Sequence, residues 1–139
     1  MNKILIFLLV TFSMSFANSS ADQEALKASM KSMGEQFKII GMSLQQKEVT
    51  DVEYKASEQM QRDVADSSLI YPELATTDQL KLKNAMWMAE LMKMSLALEE
   101  AMEVAMKQSP QDLSGVITIF REMNELRKKS HFEFKPEEE

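Results

Sequence analysis

The 139-residue sequence has no cysteine, one histidine, three glycines and three prolines. Without cysteine there can be no disulfide, zinc ribbon, thiolate catalysis or covalent c-type haem attachment. A single imidazole excludes every site built on two histidines, HExxH included. So few glycines and prolines leave a turn-rich all-β fold without its usual punctuation. Basic excess is also lacking: 16 Lys and Arg against 22 Asp and Glu give a formal charge of −6, which argues against binding a nucleic-acid backbone. The length suits one domain with one core, not two. What the chain holds in excess is methionine, with thirteen, a flexible thioether that fills irregular cores and ligates soft metals.

Residues 1–17 read MNKILIFLLVTFSMSFA. A lysine at position 3, an apolar run from Ile4 and small residues at Ser15 and Ala17 follow the order of a secretory signal peptide. The apolar part is shorter than the roughly 20 residues a spanning helix needs. Cleavage is expected after Ala17, with Ala21 as second candidate because Ser19 also suits the −3 position. The mature protein is then expected in the periplasm, with no stable membrane insertion. Removing 1–17 takes one lysine and no acid, so the charge of −6 becomes −7. An exported chain without disulfides must be stabilised by packing or by a ligand.

From Asp22 onward the apolar residues step by four and three, as in a helix packed in a bundle. Leu26, Met30, Met33, Phe37, Ile40 and Leu44 form the first seam. Thr50 and Glu53 make a capping box for a second helix, with Val52, Ala56, Met60 and Val64 inward and an end near Ser67–Ser68. The aperiodic SSLIYPELATT is the longest loop, and Thr76 or Thr77 caps a third helix. Its expected seam is Leu80, Asn84, Trp87, Leu91, Met94, Leu98, Ala101 and Ala105. Ser109-Pro110 supplies an N-cap with proline at the first helical position. The fourth helix then carries Leu113, Val116, Phe120, Met123, Arg127, His131 and Phe134, and Pro136 and Glu137–Glu139 end it. The fold class expected is all-α, an antiparallel up-down-up-down four-helix bundle over residues 22–135, with 136–139 as an acidic tail.

In such a bundle helix four ends at the level where helix one begins. Met30 lies about 12 Å into helix one, and His131 roughly 6–12 Å from the end of helix four, at 1.5 Å per residue. The two side chains are thus expected at similar height on inward seams. A thioether facing an imidazole across a bundle core is the axial pair of a Met/His haem. Plainer readings exist for the same residues. A histidine near a helix C-terminus complements the dipole, and a seam methionine fills the core. Arg127, one turn before His131, either pairs an anionic haem edge or packs its stem and reaches solvent. Lys128 and Lys129 read as a solvated face near the helix end.

The C-terminal stretch ELRKKSHFEFK resembles the closing helix of the cytochrome b562 family, and SMKSMGEQFKIIG is similar to that family's first helix. The proline-containing loop YPELA is also similar. The resemblance implies one non-covalent b-type haem (protoporphyrin IX iron), with Met30 and His131 as axial ligands. It places Met33, Phe37 and Arg127 at the haem and implies a monomeric periplasmic electron carrier serving a redox partner protein. Where c-type relatives have C-x-x-C-H, this chain has Arg127, Lys128, Lys129, Ser130 and His131. The family's third helix sets phenylalanines against the porphyrin, whereas Trp87, Leu91, Met88, Met92 and Met94 are expected there. The alternative is a haem-free helical module binding Cu(I) through Met86, Met88, Met92 and Met94, or binding another protein. No catalytic dyad, phosphate loop or nucleophile–base pair is visible, so an enzyme is not expected.

Overall fold

The computed structural model describes residues 19–70, 72–73 and 75–134. The segment 1–17, the tail 136–139, and Tyr71 and Leu74 of the long loop lie outside the described residues. Among the described residues the structure is all-helical, with α1 Ser20–Gln45, α2 Asp51–Ser67, α3 Asp78–Met106 and α4 Ser114–Phe134. Sequence neighbours pack on one another, α1 on α2, α2 on α3 and α3 on α4, as in a bundle. None of these helices is long and apolar enough to cross a membrane.

The helix starts follow local chemistry. Ser19 and Asp22 form a capping box on α1, Thr50 and Glu53 one on α2, and Thr77 caps α3 through its hydroxyl. Each satisfies amide groups that no helical carbonyl can reach. The fourth start differs from expectation. Ser109-Pro110 lies in the connection, and α4 begins at Ser114, whose amide is accepted by Asp112 at 3.0 Å. The intervening chain is held elsewhere: the Gln111 amide bonds both the N–H and the carbonyl of Val49, each at 2.9 Å, and Leu113 is buried.

Burial also corrects two seams. Val52 is exposed, and Glu53 beside it is buried. Glu53 turns inward because the Ser43 hydroxyl on α1 and the Thr50 amide and hydroxyl all donate to its carboxylate. On α3 the buried set is Asn84, Met88, Ser95, Leu98, Met102 and Ala105, while Trp87, Leu91, Met94 and Ala101 are only half-buried. The expected and the buried sets share Asn84, Leu98 and Ala105, and apolar residues lie on most sides of this helix, so periodicity could not choose. Contact between α2 and α3 chooses: Ser57 and Ser95 are fully buried, and the Ser57 hydroxyl donates to the Ser95 carbonyl at 3.3 Å. Such small side chains at the crossing let the helices approach closely. Further polar pairs lock the other contacts, Ser32 to Asp63 at 2.6 Å between α1 and α2, and Lys83 to Glu133 at 2.5 Å between α3 and α4.

Burial alone would raise the Glu53 pKa, but the hydrogen bonds from Ser43 and Thr50 outweigh it and hold the carboxyl below its ordinary value of 4.5. A depressed folded-state pKa stabilises the fold above the unfolded value, and that contribution is lost as pH falls through the lowered one. Glu53→Gln is therefore expected to cost about 1–2 kcal/mol at neutral pH. The deficit in urea midpoint should vanish once acid has protonated Glu53 in the parent. A deficit equally large in acid would assign Glu53 a packing role alone.

Candidate functional site

The buried core falls into two clusters, with half-buried Leu91 packed against both. One cluster centres on Phe37, Ile40, Met60, Leu98, Met102, Val116 and Met123, and a smaller one on Met33, Val64 and Met88. A cavity of about 520 Å³ draws its walls from both. Met30, Met33, Gly34 and Phe37 line it from one stripe of α1, where steps of three and four keep residues on one face. Met123, Arg127 and His131, at four-residue steps, line it from α4, with Lys128 beside them. Met60 of α2 and Leu91 of α3 complete the apolar wall. It is open to solvent on the side of Met30, Arg127, Lys128 and His131, which are exposed.

Sequence pattern explains why the helices part here. Beyond Met123 no described residue of α4 is fully buried, and this stretch is mostly charged or polar. Nearer the start of α4, Phe120 stacks on Phe37 with centroids 4.1 Å apart and planes at 16°. Gly41 permits that approach, since a Cβ there would lie 3.1 Å from the Phe120 ring. Gly34, about two turns closer to Met30, differs: a Cβ added to it would meet nothing within 4 Å. The stacked phenylalanines thus close one side of the cavity, and the glycine widens it.

The cavity's charge is one-sided. Its lining contains Lys31, Arg127, Lys128 and His131, and no carboxylate. The Arg127 guanidinium lies over the Phe37 ring, 5.0 Å from the centroid, and also donates to Asn124 at 3.3 Å. It therefore caps the apolar wall while its charge stays at the exposed edge. Lys128 pairs with Glu125 at 3.1 Å, both exposed. Apolar walls under a cationic mouth suit a ligand with a flat apolar body and anionic groups at one edge.

All five residues singled out from the sequence, Met30, Met33, Phe37, Arg127 and His131, line this one cavity. Their settings differ from a uniform inward seam. Met33 and Phe37 are buried, whereas Met30 is 41% exposed and Arg127 and His131 are exposed. Of the α3 residues expected against a porphyrin, only Leu91 lines the cavity. Met88 packs with Met33 and Val64 and accepts from the Ser67 hydroxyl at 3.8 Å, and Lys83 lies over Trp87 at 5.2 Å. Lys128, read as part of a solvated face, belongs to the lining, as do Lys31, Gly34, Met60 and Met123, which the sequence reading left out of the site. Met60 and Met123 were visible as seam residues, but their level relative to Met30 depends on how the helices slide. For Lys31 no sequence signal existed.

The methionines of α3 differ in burial, and Met88 and Met92 share the smaller core cluster. Met88 is buried, Met92 and Met94 are half-buried and Met86 is 63% exposed. Among the described residues no group of three or more His, Cys, Asp or Glu could hold a metal ion, and no buried side-chain polar atom lacks a hydrogen-bond partner. The buried polar groups of the described residues are thus satisfied within the fold. The cavity's residues fit a haem: a thioether and an imidazole as soft and borderline iron ligands, apolar walls for a macrocycle, and cations for carboxylates. No protein-family model, curated protein or solved structure matches this chain.

Proposed function

We propose that the protein is an exported electron carrier that holds one non-covalent b-type haem, with Met30 and His131 as axial ligands. One observation carries this reading. The chain's only imidazole, near the end of α4, and Met30, near the start of α1, line the same largely apolar cavity. Bound haem supplies a one-electron ferric–ferrous couple, and thioether ligation favours the reduced state. Met30 and His131 would hold the iron, and Met33, Phe37, Met60, Leu91 and Met123 would keep water off the macrocycle.

The reading includes an up-down-up-down order of helices. Short connections at 46–50 and 107–113 support it, as do contacts pairing Ser43 near the end of α1 with Glu53 at the start of α2, and Lys83 near the start of α3 with Glu133 at the end of α4. It also includes export with cleavage after Ala17. Ser19 supports this site over Ala21, because a cut after Ala21 would remove the N-cap of α1.

The test separates the two neighbouring thioethers of α1. Met30→Ala is expected to retain haem through His131 but to open the sixth position, giving a high-spin or water-ligated spectrum and a lower potential. Met33→Ala should keep the low-spin spectrum and lose only packing. The reverse result would move the ligand one turn along α1. A protein that stays colourless after haem-replete expression would overturn the haem reading and favour a Cu(I) site instead, in which the cavity's own Met30, Met33, Met60 and Met123 supply the thioethers.

A further inference from the structure

We propose that Lys31 of α1 and Lys128 of α4 form a two-sided cationic bracket at the cavity mouth that selects an amphipathic ligand carrying two carboxylates. The macrocycle's identity rests on the haem reading, but the bracket does not depend on iron. In a chain with 22 acidic and 16 basic residues, the cavity lining holds three fixed cations and no acid. The two lysines come from different helices, so they offer separate points of attachment, one for each carboxylate.

Lys31 has no commitment elsewhere among the described residues, and Lys128 has only a weak one. Lys31 has no ion pair among the described residues and is exposed. It sits in the middle turns of α1, so a helix-end dipole does not account for a cation there. The pair of Lys128 with Glu125 is an exposed contact within one helix, a kind worth little and readily exchanged. Arg127 lies over Phe37 between the apolar wall and the mouth, and so fixes where the apolar body stops and the anionic edge begins. Local cations also draw an anion toward this mouth on a protein whose net charge would otherwise repel it.

The test uses the signal-free chain with iron-free protoporphyrin IX and its uncharged dimethyl ester, each followed by porphyrin fluorescence. Two partly solvated ion pairs predict that the diacid binds roughly tenfold more tightly than the ester. Salt should weaken the diacid alone. In the Lys31→Gln/Lys128→Gln variant, checked for unchanged helicity, the preference should shrink to about twofold while ester affinity holds. Equal binding of diacid and ester by the parent would overturn the bracket, as would a variant that loses both ligands equally. A haem titration separates the two proposals: a persistent diacid preference with no Met/His spectrum would leave the bracket standing and remove the iron ligation.

Discussion

His131→Ala is expected to abolish the low-spin haem spectrum and to lower haem affinity by at least about a hundredfold, while the apo-protein keeps its helical circular dichroism. The size follows from comparison with milder lesions. Removing a group that merely orients a metal ligand costs about 10–100-fold in affinity, and removing the ligand itself must cost no less. No second imidazole exists to replace it. The fold should survive because His131 is exposed, lies beyond the last buried residue of α4, and contributes nothing to either core cluster. Titration of the variant with haem at micromolar concentration checks the effect. A six-coordinate low-spin spectrum in the variant would show that His131 is not the ligand.

The second large effect is on stability. Haem should bind the folded bundle far better than the unfolded chain, so saturation stabilises the fold by mass action. At a haem concentration a thousand times the dissociation constant the gain is about 4 kcal/mol. For a domain of this size that amounts to about 15 °C in Tm. The structural basis is the two-cluster core: α1 and α4 part around the cavity, and a bound macrocycle would join Met33 on one side to Phe37, Met60 and Met123 on the other. The gain should therefore concentrate in α1 and the last turns of α4. Thermal melts of apo and haem-loaded samples, with amide exchange mapped on both, check this. Equal melting temperatures would mean that haem is not a native ligand.

The capping boxes at Thr50–Glu53 and the Thr77 cap were legible as sequence because capping is a contact within four residues. The inward set of α1 was legible in part: Leu26, Met33, Phe37 and Ile40 are buried as the spacing implies, whereas Leu44 of the same seam is half-buried and Met30 is exposed. On α3 the same method chose Trp87, Met94 and Ala101 where the structure buries Met88, Ser95 and Met102. A helix apolar on most sides has no stripe to read. The proline rule failed at Ser109-Pro110 because a distant partner, Val49, engages Gln111 and α4 starts only after it.

By itself, then, the sequence determined the four helices, most of their ends, and the lack of any two-histidine or thiolate site. Those follow from local hydrogen bonding, apolar periodicity and residue inventory, none of which needs a neighbouring helix. Only the tertiary structure decided that the core falls into two clusters, that Met30 and His131 stand at an open mouth and not within sealed packing, and that Lys31 and Lys128 share that mouth. Each of these depends on the axial offset and separation of α1 and α4. That offset is set by contacts far apart in the chain, the Phe37–Phe120 stack against Gly41 and the Arg127 guanidinium over Phe37, which no spacing along a single helix encodes.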